Sequence, residues 1–425
     1  MLTSIELDHF KSFRKAQIPL GPFTPIIGTN ASGKSNLRDA FRFLHGIGRG
    51  YALAEIIDAK YGEGGEMQWS GIRGGTREIT FAGEPFFRLR AGLRTLRKGP
   101  FGKPGFPLKY DISVALDQPQ IGPRVSRESL YFSDYMFFDS HPATDPPKQQ
   151  DAEHLTVRIR RGSKGVRHAP ARTFLSSTPA LVQATRKQIE RLRVAEDALP
   201  VLHSMRFLDL SPDAMRIPSL PGQPVLGDRG ERLSSALLSI CRDDDKKKTL
   251  LEWLRTLTPL DVVDFEFPQD FAGRVLVHLV EKGGRKISAH SASDGTLRFL
   301  AMLAALLDPG ASRLYFIEEI ENGIHPTRLH LLAQLIEQQC RDGHIQVVAT
   351  THSPMLLGFL SATSRQDALL VYRLRGEDES HVRRIAELPD LNRILETQDL
   401  GRLHASGWME DMVELMSDAS NEAAQ

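Results

Sequence analysis

Eight residues near the N-terminus, Gly28-Thr29-Asn30-Ala31-Ser32-Gly33-Lys34-Ser35, limit the folds open to this 425-residue chain more than any other feature in it. The mostly apolar residues 23–27 precede them. Helical periodicity follows from Leu37, with Leu37, Ala40, Phe41 and Leu44 on one face and Gly46 and Gly48 read as its end. In a strand–turn–helix context, successive backbone N–H groups can wrap a phosphate and the helix adds the positive end of its dipole. Lys34 then reaches the β- and γ-phosphates, and the Ser35 hydroxyl ligates Mg²⁺. A Gly/Ser-rich surface turn with a solvated lysine has the same composition, but the flanking patterns weigh against it.

Bulk properties exclude several classes. Lys and Arg total 54 against 53 Asp and Glu, so any nucleic-acid contact must come from local patches. Cys241 and Cys340 are too few for a disulfide framework or a cysteine zinc site, and suit a reducing cytosol. The N-terminus lacks a signal-peptide apolar region, and the longest apolar run, residues 299–307, is well short of the ~20 residues that span a bilayer. A cytoplasmic protein with no membrane partner is expected.

In order along the chain, alternation around residues 5–7 and 16–20 predicts two strands, and a glycine-rich passage over 61–75 holds Gln68. Short alternating segments at 79–81, 86–89, 110–116, 125–132 and 155–159 predict antiparallel strands. Two basic clusters lie there, Arg88/Arg90/Arg94/Arg97/Lys98/Lys103 and Arg158/Arg160/Arg161/Lys164/Arg167/Arg172. Each could track a DNA phosphate backbone or an acidic partner, though a solvated strand face or loop is the more common explanation of such clusters. Residues 179–199, 233–240 and 250–257 predict helices, and the charge run 243–248 reads as a solvated helix start. Alternation at 263–267 and 275–279, then Gly283-Gly284, predicts strands and a tight turn.

Residues 291–353 carry the densest chemistry. Leu314-Tyr315-Phe316-Ile317 reads as a buried strand ending in Glu318-Glu319, where an open α/β sheet places its reactive groups. The first carboxylate can hold Mg²⁺ or its water shell, and the second can deprotonate a water attacking the γ-phosphate. A second buried strand, 345–351, ends in His352-Ser353-Pro354. Ser291-Ala292-Ser293-Asp294-Gly295-Thr296 opens a helix over 297–307, so Ser293 and Gly295 form either another anion cradle or an ordinary N-cap.

Taken together, Asn30 to Asn36, Ala292 to Leu297, the strand with Glu318-Glu319, Glu321-Asn322-Gly323-Ile324-His325-Pro326 and Thr350-Thr351-His352-Ser353-Pro354 resemble the SMC-related branch of ABC ATPases, near RecF and the OLD family. Asp8-His9-Phe10-Lys11-Ser12-Phe13 is similar to that group's N-terminal strand motif. The resemblance implies an α/β fold: an ABC-ATPase (P-loop NTPase) head with a mixed sheet, an antiparallel β subdomain and a helical insert. On that scheme the N-terminal part of the lobe is 1–78, the antiparallel and basic region 79–172, the helical insert 173–260, the C-terminal part of the lobe 261–360, and its completion 361–425.

The resemblance also implies that Asn30, Ala31, Ser32, Gly33, Lys34, Ser35 and Asn36 bind ATP, and that Ser35, Gln68 and Glu318 attend Mg²⁺. Glu319 would be the general base and His352 would steady the γ-phosphate. Ser293 and Gly295 would close over ATP on a second subunit, with Asn322 bridging the sites. The implied protein is a Mg-dependent ATPase that dimerises around ATP, or forms a higher homo-oligomer, in DNA repair or antiviral defence. OLD nucleases carry acidic clusters after the ATPase, but residues 354–425 hold no Asp-x-Asp pair. A nuclease effector is therefore expected to be a separate protein. The alternative is an ATP-bound scaffold or sensor with negligible turnover; it draws on Glu318 standing where the family has aspartate.

Overall fold

The computed structural model describes residues 1–95, 105–133, 135–140, 153–159, 171–186, 193–258, 260–307, 313–341, 343 and 345–423. The chain divides into two compact units. One comprises residues 1–20, 28–205 and 369–383, the other 21–27, 206–368 and 384–425.

The first unit is built on an eight-stranded sheet. Its strand order is Ala171–Leu175, His154–Ile159, Tyr135–Asp139, Arg124–Phe132, Pro107–Ala115, Phe86–Arg94, Leu2–Phe10 and Phe13–Pro19. Its seven neighbouring pairs are all antiparallel. In Phe86–Arg94 the period of two buries Phe87, Leu89, Ala91 and Leu93 and turns Arg88 and Arg90 to the other face. Those arginines meet acids on the neighbouring strands: Arg88 pairs with buried Asp111, and Arg90 lies 3.1 Å from Glu6. Two members of the first basic cluster are thus neutralised within the sheet. Arg97, Lys98 and Lys103 of that cluster, and Arg160, Arg161, Lys164 and Arg167 of the second, lie outside the described residues.

The helix after the candidate phosphate loop, Lys34–Gly48, starts three residues earlier than its apolar periodicity suggested, passes through Gly46 and ends at Gly48. A β-carbon on Gly46 would sit 2.8 Å from Ile56, and one on Gly48 2.3 Å from the His203 nitrogen. Both glycines admit close neighbours, and only Gly48 also stands at the end of the helix. The expected strand at 79–81 is instead a helical turn, Gly75–Glu78, followed by the 3₁₀ turn Phe81–Gly83. Gly74, Gly75, Ala82 and Gly83 all have positive φ and bend the chain there. The helix expected over 179–199 consists of Ala180–Arg186 and Arg193–His203, with 187–192 outside the described residues.

Glu128 is a carboxyl on the buried face of this sheet. It accepts hydrogen bonds from the Tyr110 hydroxyl (2.9 Å), the Leu181 amide (2.9 Å) and the Ala180 amide, so it docks the start of the Ala180–Arg186 helix. Burial, opposed by those donors, pushes its carboxyl from 4.5 up to about 7. The folded chain therefore holds the proton more tightly than the unfolded one. The resulting stability is full below the unfolded value and is lost as pH rises through about 7. The loss is on the order of 3 kcal/mol. The melting temperature should accordingly fall between about pH 5 and pH 8, and Glu128→Gln should flatten that fall. An equally steep profile in the variant would remove Glu128 as the cause.

The second unit holds the strands Met205–Leu208, Leu314–Ile317, Gln346–Thr350 and Phe23–Ile27 side by side in that order. The last three are parallel, with Ile317 opposite Ala349 and Thr350 opposite Ile26. All their residues are buried, as the apolar runs predict for parallel strands covered on both faces. Helices Asp294–Leu307 and Leu329–Arg341 contribute apolar faces, and the Tyr315 hydroxyl donates to the Ala305 carbonyl at 2.9 Å. A small antiparallel sheet, Val262–Glu266, His278–Glu281 and Lys286–Ser288, turns at Gly283-Gly284, both at positive φ. Asp243 caps the helix Asp244–Leu257 by accepting from the Asp245 and Lys246 amides, which accounts for the charge run at its start. Burial pushes the Cys241 and Cys340 thiols up to about 12, consistent with structural rather than reactive cysteines.

No helix among the described residues is long and apolar enough to cross a membrane. Parallel pairing puts the carboxyl ends of Phe23–Ile27, Leu314–Ile317 and Gln346–Thr350 at one edge. The chain leaves the last two of those ends as the Glu318-Glu319 pair and the Thr351-His352-Ser353 segment.

Candidate nucleotide site

In the first unit the loop from Gly28 is shaped by residues with left-handed or mirror backbones: Gly28 (φ 154), Ala31 (φ 63) and Gly33 (φ 116). Two glycines are required by space as well. A β-carbon on Gly28 would lie 2.1 Å from the Val371 carbonyl, and one on Gly33 2.6 Å from the Ser380 hydroxyl. The loop is braced from outside by Ser12, whose hydroxyl accepts from the Asn36 amide at 2.7 Å and whose carbonyl accepts from the Ser380 N–H at 2.7 Å. The Lys34 ammonium donates to the Gly28 and Thr29 carbonyls, each at 2.7 Å. Asn30 and Ala31 are exposed at the tip, while the Ser32 hydroxyl is buried and without a hydrogen-bond partner. Ser35 sits half-buried in the first turn of the helix. An orphaned buried hydroxyl, an ammonium over the loop carbonyls and a helix N-terminus together fit a bound phosphate chain.

Behind the loop, the same helix carries residues that the sequence did not mark. Asp39 is buried between Lys11 (3.7 Å) and Arg73 (3.3 Å), and the Lys11 ammonium also donates to the Arg73 carbonyl. Burial pushes the Asp39 carboxyl above its ordinary value and the Lys11 ammonium below its own, outweighing their mutual attraction. Three residues on, Arg42 donates to Ser70 (2.8 Å) and the Gly71 carbonyl (3.0 Å) and lies 4.6 Å over the Trp69 ring. The Trp69 indole in turn donates to the Ile56 carbonyl at 3.0 Å. These contacts fix the strand Met67–Trp69 and so the exposed Gln68 within it. The only hint in the sequence was an acid and a base three apart on an amphipathic helix, which reads equally well as a solvated pair.

The second unit brings together Glu318, Glu319, Asn322 and His352. Glu319 has φ 47, a left-handed backbone that costs a non-glycine residue about 1–3 kcal/mol and concentrates at functional sites. Its N–H donates to the Thr350 hydroxyl (2.9 Å), and the next N–H, of Ile320, donates to the Thr350 carbonyl (3.1 Å). The Asn322 amide donates to the Glu319 carboxylate at 2.5 Å, so within one chain this asparagine touches the candidate base. Glu321 accepts from the His352 N–H at 2.7 Å, while its second oxygen is buried without a partner. Thr350 and Glu321 stand at the heads of two quoted motif segments but carried no role there, because only the register of the two strands reveals what they touch.

Ser293 caps the helix Asp294–Leu307, accepting from the Thr296 N–H at 3.2 Å, so the N-cap reading of this serine holds within the chain. Gly295 lies against the turn at Gly323: a β-carbon there would sit 2.2 Å from the Gly323 carbonyl oxygen. Arg216 holds the helix start, donating to Asp294 (2.6 Å) and the Ala292 carbonyl (3.2 Å).

Comparison with known proteins adds kinship to this geometry. A family model described as "AAA domain, putative AbiEii toxin, Type IV TA system" matches residues 23–96 and 129–358. Structural maintenance of chromosomes protein 1 of Arabidopsis thaliana is 45% identical over 64 residues, 14% of this chain and 5% of that protein. An "ATP/GTP phosphatase" of Helicobacter pylori is 34% identical over 77 residues, 17% of this chain and 20% of that protein. The matches thus span at most about a fifth of these relatives. Among solved structures, an Smc head bound to the C-winged helix domain of ScpA has a TM-score of 0.49 at 14% identity, covering 90% of this chain and 96% of that one. An Smc head from Pyrococcus furiosus with an extended coiled coil, bound to the C-terminal domain of ScpA, has a TM-score of 0.46 at 15% identity, covering 93% and 98%.

Proposed function

Because the chain belongs to this AAA-domain family of ATPases, we propose that it is a Mg²⁺-dependent ATPase whose output is the closing and opening of a dimer. One observation carries the reading: a glycine-walled loop at the head of a helix that offers an unpartnered buried Ser32 hydroxyl and the Lys34 ammonium. Phosphate oxygens accept hydrogen bonds and carry negative charge, so they match both donors and the helix dipole.

In this reading Lys34 and the loop amides from Asn30 to Asn36 hold the triphosphate. Ser35 and Glu318 would hold Mg²⁺, with Gln68 beside it, and the ion would supply charge neutralisation on the phosphates. Glu319 takes the proton of the attacking water and His352 steadies the γ-phosphate. Ser293 and Gly295 of a second copy close over the nucleotide, with Asn322 bridging. The family description names a toxin of a type IV toxin–antitoxin system. A role of that kind, or in phage defence or DNA repair through a separate effector, belongs to the same proposal.

The test is multiple-turnover phosphate release, with and without Mg²⁺ and DNA, run beside sedimentation of the nucleotide-loaded chain. Mg²⁺-dependent turnover with ATP-dependent dimers is expected. Tight ATP binding without turnover would favour the scaffold instead, and a chain that stays monomeric at high concentration with hydrolysis blocked would end the dimer proposal.

A further inference from the structure

We propose that Thr350 and Glu321 are positioning residues that tie the two strand-end loops together and so set where Glu319 and His352 present their side chains. The inference rests on the reading of Glu319 as general base and goes beyond it, because neither residue was assigned a role by motif or by kinship.

Leu314–Ile317 and Gln346–Thr350 run parallel with Ile317 opposite Ala349, so both loops leave the sheet side by side and in the same direction. Parallel pairing fixes the strands but nothing past their ends, and each loop could then fold by itself. Here three hydrogen bonds cross between them. Two amides of the first loop, Glu319 and Ile320, converge on one residue of the second strand, using the Thr350 hydroxyl and carbonyl. The third bond runs the other way, from the His352 amide of the second loop to the Glu321 carboxylate of the first.

Glu319 holds a left-handed backbone, which a residue with a β-carbon keeps only when its surroundings over-determine it. The Thr350 hydroxyl, on a residue 4% exposed, is the acceptor that fixes its amide. Glu321 completes the brace with one oxygen while leaving the other buried and unpartnered, an arrangement that stability alone does not favour. A half-buried carboxylate that keeps one oxygen shielded and unpartnered while the other holds the His352 amide points to the placing of His352.

The variants are chosen to keep shape while removing an acceptor. Thr350→Val is isosteric but lacks the hydroxyl, and Thr350→Ser restores it. Glu321→Leu removes the carboxylate, and Glu321→Gln keeps one oxygen to accept from the His352 amide. Phosphate release per bound ATP is measured for these four and for Glu319→Gln. A displaced base costs turnover far more than affinity, so kcat should fall about 10- to 100-fold in Thr350→Val and Glu321→Leu, with KM within about twofold of wild type. Thr350→Ser and Glu321→Gln should recover to within about threefold. Wild-type kcat in Thr350→Val, or no recovery in Thr350→Ser, overturns the proposal while leaving the base reading intact if Glu319→Gln is inactive. Full turnover in Glu319→Gln overturns the base reading itself and this inference with it.

Discussion

Glu319→Gln is expected to bind ATP and stop there, accumulating as a nucleotide-loaded dimer. The amide keeps the length of the side chain and can still receive the Asn322 hydrogen bond seen at 2.5 Å, so the local structure should survive. It cannot take a proton from water. General-base catalysis contributes about 10²–10⁴-fold, and kcat should fall by that factor while the dissociation constant for ATP changes little. Since hydrolysis is the step that reopens the dimer in the proposed cycle, blocking it should shift the population toward dimer, which sedimentation with ATP and Mg²⁺ would detect. Hydrolysis at the wild-type rate would mean that Glu319 is not the base, whatever its unusual backbone is for.

Lys34→Ala should fail one step earlier, at binding. The wild-type ammonium donates to the Gly28 and Thr29 carbonyls at 2.7 Å each, so it shapes the loop and is placed to exchange those carbonyls for phosphate oxygens. Removing a charge-assisted donor from a largely buried position costs ~3 kcal/mol, on the order of 100-fold in Kd. Equilibrium titration with ATP is the measurement. Lys34→Arg should not recover the loss, because a planar guanidinium is too large for a loop whose walls already exclude a β-carbon at Gly28 and Gly33. ATP affinity within about threefold of wild type in Lys34→Ala would remove the loop as the phosphate site.

Several features were plain in the sequence because they are local. Strands 314–317 and 346–350 announced themselves as apolar runs, since parallel strands buried on both faces have no polar side to show. The candidate phosphate loop stood out because its glycines and its lysine are neighbours in the chain. Kinship with SMC-related ATPases, read from five ordered motifs, agrees with the family match and with the SMC1 relative. Other signals were ambiguous for a physical reason. Gly46 and Gly48 both read as a helix stop because glycine both ends helices and admits close neighbours; the helix does end at Gly48, whereas Gly46 lies inside it against Ile56. Arg88 and Arg90 looked like part of a basic patch until sheet register set Asp111 and Glu6 beside them.

Sequence alone determined which candidate groups this chain offers: a loop proposed for phosphate, paired carboxylates and a histidine just past strand ends, and the strands that deliver them. Tertiary structure decided how those groups are held. The Thr350 and Glu321 braces beside the left-handed turn at Glu319, the buried Asp39 between Lys11 and Arg73, and the Glu128 contact with Leu181 all join residues at least 28 positions apart. The reason is that a hydrogen-bonding side chain reads the same in sequence whether it faces water or a partner. Burial is what makes that partner obligatory, and burial is set by strand register and helix packing rather than by neighbours in the chain.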